Sequence, residues 1–154
     1  MKTKYEIISN FLFPKFSQPK ESRFVKLFSL NFKNNKYSIS LEKIEKGEDK
    51  RTSVIIKNIP NKITKASIQE MLNGIGNINF IYLPFNKNTK KNFGFALINV
   101  VNYKNIINLC KRIYEFNFNN FQFDKLIQVS YCKIQGKINL SKNISKNHKN
   151  NCLK

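Results

Sequence analysis

Val54-Ile55-Ile56-Lys57-Asn58-Ile59 is a β-branched run that stops at Pro60, and it predicts a first strand. Thr64 is suited to cap a helix in which Ile68, Met71, Leu72 and Ile75 recur at i, i+3, i+4 and i+7, the stripe that a helix lays on a core. Gly74 and Gly76 end that helix. A second strand is predicted from Ile78 to Leu83, with Ile78, Ile81 and Leu83 suited to the core and Phe80 and Tyr82 turned outward. Pro84 opens a loop over Phe85 to Asn92. The third strand then divides into a small set, Gly94, Ala96, Ile98 and Val100, and a larger set, Phe93, Phe95, Leu97 and Asn99, on opposite faces. The smaller set reads as the core side. Asn102 is expected to cap a second helix carrying Ile106, Ile107, Cys110, Ile113 and Tyr114 as its stripe, and Leu126 to Cys132 forms the last strand. The order is βαββαβ. It predicts an α+β, ferredoxin-like sandwich: a four-stranded antiparallel sheet with two helices on one face and the other face open. That fold hosts enzymes, metal carriers and nucleic-acid binders, so topology alone does not give a function.

Outside this unit the pattern weakens. Residues 1–36 mix Phe, Lys, Ser and Asn without a sustained period, and Pro14 and Pro19 interrupt any helix, so a basic, disordered arm is expected there. Residues 37–50 form a lead-in, in which Tyr37, Ile39 and Leu41 alternate with serines as in a short strand and Glu42 to Asp49 make an acidic turn around Gly47. The folded unit is expected over 51–133, followed by a basic tail at 134–154 that starts with a short helix if Ile134, Ile138 and Leu140 share a face.

Charge narrows the possible partners. The 154 residues include 28 Lys plus Arg against 9 Asp plus Glu, a formal net charge of +19, where ~2 to 8 suffices to keep a small domain soluble. Residues 126–154 carry six basic side chains and no acidic one. A polyanion is the expected partner, whether nucleic acid, an anionic membrane surface or an acidic protein. With 25 Lys, 24 Asn and 20 Ile against 3 Arg, the composition also carries the mark of AT-rich codons, which accounts for part of the charge. No apolar stretch approaches the ~18 residues that a membrane span needs. Lys2 and Lys4 are followed by Glu6 and by no A-x-A-like site, against a secretory signal, although organelle import stays open. Cys110, Cys132 and Cys152 are odd in number and lack C-x-x-C spacing, so a reducing compartment, nuclear or cytoplasmic, is expected.

The third strand supplies the motif that chooses among these partners. RNA-recognition motifs carry there an octapeptide of the form K/R-G-F/Y-G/A-F-V-x-F/Y. Lys91-Asn-Phe-Gly-Phe-Ala-Leu-Ile98 resembles it in one frame and Phe93-Gly-Phe-Ala-Leu-Ile-Asn-Val100 in another. The frames differ by two residues, so either one puts Phe93, Phe95 and Leu97 on the same open face. Ile55 and Lys57 face outward on the first strand, and Ile55 stands where an aromatic is usual. Unpaired bases stack on such rings for ~1 to 3 kcal/mol each.

A narrower resemblance follows. Tyr37 to Thr64 resembles the entrance to the Mei-two-like (meiosis-protein-two) class of RNA-recognition motif, Asn92-Phe-Gly-Phe-Ala-Leu-Ile-Asn-Val100 its octapeptide region, and Tyr131-Cys-Lys-Ile-Gln-Gly-Lys137 its exit from the last strand. The resemblance covers about residues 37–140 and includes Phe118 and Phe121. It implies a regulator of RNA fate that binds single-stranded RNA on the open sheet face, in a class whose members are much longer than this chain. The candidate RNA-binding residues are Ile55, Lys57, Phe80, Tyr82, Lys90, Lys91, Phe93, Phe95, Leu97, Gln128, Ser130, Lys133 and Lys137.

Other readings of the same residues stay open. Although base stacking is the favoured reading of Phe93 and Phe95, they also suit packing under a C-terminal lid built on Ile134, Ile138 and Leu140, and a movable lid would satisfy both. Aliphatic Ile55 and Leu97 suit a protein-interaction module of the same fold, with partners on the sheet face or the helices, or a constitutive subunit of a ribonucleoprotein complex. Catalysis lacks its usual residues: His148 is the sole histidine, Glu70, Glu115 and Asp124 form no pair, and Asn73-Gly-Ile-Gly-Asn77 leads into a strand rather than a helix. No enzyme activity, cofactor or metal is expected.

Overall fold

Val54 and Ile56 are fully buried, as are Ala96, Ile98 and Val100, and this alternation fixes the inner face of the sheet. The structure, a computed structural model, describes residues 36–115 and 127–152. The expected arm before Lys36, and Phe118, Phe121, Asp124 and Leu126, lie outside the described residues. The strands are β1 (Ser53–Lys57), β2 (Ile78–Tyr82), β3 (Phe95–Val100) and β4 (Gln128–Tyr131), all antiparallel to their neighbours in the order β2-β3-β1-β4. The helices are α1 (Leu41–Glu45), α2 (Lys65–Met71), α3 (Asn105–Glu115) and α4 (Lys137–Cys152). The βαββαβ unit predicted from the apolar pattern is present, with one added helix before it and one after.

The helices of the unit form where their apolar stripes meet the inner face. Thr64 caps α2 by accepting from the Ser67 N–H at 3.2 Å, and Ile68, Met71, Leu72 and Ile75 are buried. Gly76 turns the chain into β2 with φ +130°, and a Cβ there would run into the Asn105 side chain at the start of α3. In α3 the buried stripe is Ile106, Leu109, Cys110 and Ile113, with Ile107 only partly buried. Leu109 belongs to the core although the periodicity did not single it out. Asn102 is not the residue next to the helix. It opens the preceding turn, with its side chain accepting from the Lys104 N–H at 3.0 Å and its carbonyl from the Asn105 N–H at 3.0 Å.

The lead-in departs from expectation. Where alternation predicts a strand ending at Leu41 and then a turn, Ser40 caps the one-turn helix α1 by accepting from the Lys43 N–H. Ile39, Leu41 and Ile44 are all buried in the main core, and the spacing of three between Leu41 and Ile44 serves a helix where a strand would turn one of them out. Gly47, at φ +72°, ends the turn. The segment is anchored to the sheet edge: the Tyr131 N–H donates to the Tyr37 carbonyl at 2.8 Å, and Arg51 donates to the Lys36 carbonyl at 2.7 Å. Arg51 also grips both carboxylate oxygens of Asp49, at 3.0 and 2.7 Å, and lies 3.9 Å from the centre of the Tyr131 ring.

This clamp predicts an acid-sensitive lead-in. The Arg51 hydrogen bond holds the Asp49 carboxyl below its usual range, against the opposing effect of burial. A carboxyl of lowered folded pKa stabilises above its unfolded value, ~3.9, and that contribution fades as pH falls through the lower folded value. Asp49→Asn will therefore cost about 1 to 3 kcal/mol at neutral pH. The gap from wild type will close as the pH drops below ~4, which denaturant titrations across that range would measure.

Candidate nucleic-acid interface

Strand register arranges the outer face into three rows, about 6.8 Å apart along the strands. In the first, Gln128 lies opposite Lys57 and Lys57 opposite Phe95. The second runs Ser130, Ile55, Leu97, Tyr82, and the third runs Ser53, Asn99, Phe80. Eight of the candidate residues thus share one surface. Phe95, Leu97, Ile55, Tyr82 and Phe80 are half-buried, while Lys57 and Gln128 are exposed. None of the four strands contains an acidic residue.

The remaining candidates sit at the two ends of this face. Phe93 lies just ahead of β3 and is 60% exposed, with Lys90 and Lys91 exposed in the loop before it. That loop is held in shape by its own bonds. Asn86 accepts from the Asn88 and Thr89 N–H groups, and the Asn86 N–H donates to the Lys91 carbonyl at 2.8 Å. Lys133 and Lys137 are exposed at the opposite end, on either side of Gln135. Cations therefore stand at both ends of an aromatic and aliphatic strip.

β2 reaches this arrangement through a bulge. Ile78 faces Val100 on the inner side, yet Phe80 faces Asn99 and Tyr82 faces Leu97 on the outer side, with the register shifting between Ile78 and Phe80. The extra residue is Asn79. In a regular, unbulged strand with Ile78 inward, Phe80 would point into the core.

Two polar clusters escaped the sequence reading. Asn92, where the octapeptide usually has glycine, is buried. Its amide nitrogen donates to the carbonyls of Pro60 and Ile63 at 2.8 Å each, and its oxygen accepts from the Gly94 N–H at 2.7 Å. It ties the β1–α2 loop to the entrance of β3, ahead of Phe95. The second cluster covers the third row. The Gln135 side chain accepts from the Thr52 and Ser53 N–H groups and donates to the Ser53 and Cys132 carbonyls, and the Gly136 N–H donates to Ser53 Oγ at 2.8 Å. Asn99, expected on the open face, is on it by register but buried beneath this cluster.

α4 starts from that cluster and runs 16 residues, where a short helix was expected. Leu140 is buried outside the main core, Ile134 is partly buried, and Ile138 is 68% exposed, so these three do not form one apolar face. Cys110 and Cys132 are free and buried. Burial pushes the Cys132 thiol up to about 11 and the Cys110 thiol still higher. Among the described residues no cluster of His, Cys, Asp and Glu is able to hold a metal ion, and no helix is long and apolar enough to cross a membrane.

Residues 51–145, from the start of β1 into α4, match the family described as RNA recognition motif 2. The chain belongs to the RNA recognition motif 2 family. Members of this family are RNA-binding domains, and the Mei-two-like resemblance holds among curated proteins as well. The chain is 36% identical over 113 residues to Protein MEI2-like 4 of Arabidopsis thaliana, covering 71% of this chain and 12% of that protein. It is 40% identical over 105 residues to Protein MEI2-like 5 of Arabidopsis thaliana and 37% identical over 103 to Protein MEI2-like 5 of Oryza sativa subsp. japonica, covering 66% of this chain and 13% of each relative. The chain thus spans about an eighth of the length of these relatives. Among solved structures it is similar to the Rna15 motif with bound RNA (GU), at 17% identity and a TM-score of 0.46, covering 61% of this chain and 96% of that one. In this RNA recognition motif 2 domain, β1 brings no aromatic ring to the open face described above, where Ile55 stands, whereas β2 brings Phe80 and Tyr82.

Proposed function

We propose that this RNA recognition motif 2 domain binds single-stranded RNA on its outer sheet face and serves as a regulator of RNA fate, the role that the Mei-two-like resemblance implies. The observation that carries this reading is the strip of Phe95, Leu97, Ile55, Tyr82 and Phe80, free of acidic residues along its strands and flanked at both ends by exposed lysines. Rings accept unstacked bases, and lysines take the phosphates that connect them. In this reading the lead-in over 37–50 and the tail over 134–154 support a motif over 51–133. Lys57, Lys90, Lys91, Lys133 and Lys137 make phosphate or base-edge contacts, with Gln128 and Ser130 as polar partners for bases. The protein acts by binding and not by catalysis, in the reducing environment of nucleus or cytoplasm that the free, buried Cys110 and Cys132 favour.

Duplex RNA keeps its bases stacked inside and offers mainly phosphates and 2′-hydroxyls. At physiological salt, equal-length single strands will therefore bind more tightly than duplexes in a fluorescence titration. Equal or tighter duplex binding would leave the +19 charge as the whole explanation and remove the stacking argument. Failure to bind either RNA would favour a protein-interaction module.

A further inference from the structure

The polar cluster at the third row fixes the orientation of a side chain that faces outward. Two backbone groups of invariable polarity set it. The Gly136 N–H can only donate, so Ser53 Oγ accepts it and spends its own hydrogen on Asn99 Oδ1, 2.6 Å away. Thr52 Oγ1 approaches the same oxygen at 2.8 Å. The Val100 carbonyl can only accept, so the Asn99 amide nitrogen faces it at 3.2 Å. That nitrogen also donates to Asn79 Oδ1 at 2.7 Å. The oxygen of Asn79 is therefore engaged, and its Nδ2 carries the group's two free hydrogens, for which no partner stands among the described residues.

Asn79 is the extra residue of the β2 bulge, exposed at the end of the strip and next in the chain to Phe80. From this geometry we infer that Asn79 is a specificity-determining residue, an oriented pair of donors that reads a keto oxygen on an unpaired base. Uracil and guanine present a keto oxygen where cytosine and adenine present an amino group. An amino group meeting the Asn79 donors leaves both sides without an acceptor, so the site selects uracil or guanine over cytosine or adenine. The inference rests on the proposed binding of RNA to this face.

Oligouridine and oligocytidine of equal length isolate the effect, because their bases differ in the keto or amino group at ring position 4 and in the ring nitrogen beside it. Wild-type protein will prefer oligouridine by about two- to tenfold, the range of a single net hydrogen bond. Asn79→Ala will abolish the preference. Asn79→Asp keeps an acceptor for Asn99 but turns an acceptor outward, so it will reverse the preference while weakening binding to both RNAs through its charge. Melting curves of both variants will match wild type if they fold normally, and Phe95→Ala serves as a separate report on the face. If Phe95→Ala weakens both RNAs but the uridine-to-cytidine ratio is the same in wild type and both Asn79 variants, the inference falls and the face reading stands. If Phe95→Ala leaves binding to both RNAs untouched, the face reading falls and takes the inference with it.

Discussion

Ile98→Asp will leave the chain unfolded at 25 °C, while Leu97→Asp, one position away, will fold. Ile98 is completely buried and pairs with Val54 on one side and Ile81 on the other. Removing its side chain forfeits about 2 to 5 kcal/mol of packing, and an unpaired carboxylate in that place adds several more. The sum reaches the ~5 to 15 kcal/mol that holds a whole domain together. Leu97 is only half-buried and lies on the outer face, where a carboxylate stays hydrated. Circular dichroism during heating separates the two. A cooperative melt of Ile98→Asp within a few degrees of wild type would show that the inner face has been assigned to the wrong residues.

Phe95→Ala will weaken single-stranded RNA by about 1 to 3 kcal/mol, roughly fivefold to 150-fold, with little change in melting temperature. The ring stands at the β3 end of the first row beside Lys57, half-exposed, with the fully buried Ala96 behind it on the other side of the sheet. Its loss removes a stacking surface without opening the inner core. The competing expectation is that Phe95 packs under a C-terminal lid. In that case the substitution would lower the melting temperature severely and spare the affinity of the folded protein. Burial at this face is concentrated at Ser53 and Asn99, the far end from Phe95, and Phe93 remains 60% exposed, which favours stacking.

The parts of the fold that could be read directly from the residues are those where side-chain period and chain geometry agree. β1 and β3 alternate except at Ser53 and Asn99, which are buried on the outer face, and α2 has both a capping threonine and a complete stripe. β2 was legible in an unusual way. Ile78, Ile81 and Leu83 cannot all face inward in a regular strand, so their assignment to the core already required the irregularity found at Asn79. α1 was misread because Ile39, Leu41 and Ile44 are too few to separate a period of two from one of three and a half. Only docking against the core decides. The extent of α4 was hidden for a related reason: of its apolar residues, Ile138 is exposed and Leu140 buried, so no continuous stripe announces it.

The candidate face was legible wherever alternation alone determined it. The Gln135–Ser53–Asn99–Asn79 cluster was not, because it joins a side chain to backbone 82 positions away and depends on which hydrogen each group gives up. Local patterns carry no trace of such an arrangement. Nor did they mark Asn92, whose partners are the Pro60 and Ile63 carbonyls of the loop between β1 and α2, about thirty positions earlier in the chain.

The anchoring of the lead-in bears on how this domain is to be excised for binding measurements. The family match begins at residue 51, but the segment that completes the core reaches back at least to Lys36, fifteen residues earlier. A fragment cut at Arg51 loses Ile39, Leu41 and Ile44, each worth about 1.5 to 3 kcal/mol when buried, together with the backbone bond that the Tyr37 carbonyl accepts from Tyr131 in β4. Tyr131 and its neighbours would then meet water on a side that is dry in the intact chain. A boundary drawn by similarity would yield a fragment that fails for lack of a floor. One drawn by burial, starting at Lys36 or before, keeps the protein whole enough to be questioned about RNA.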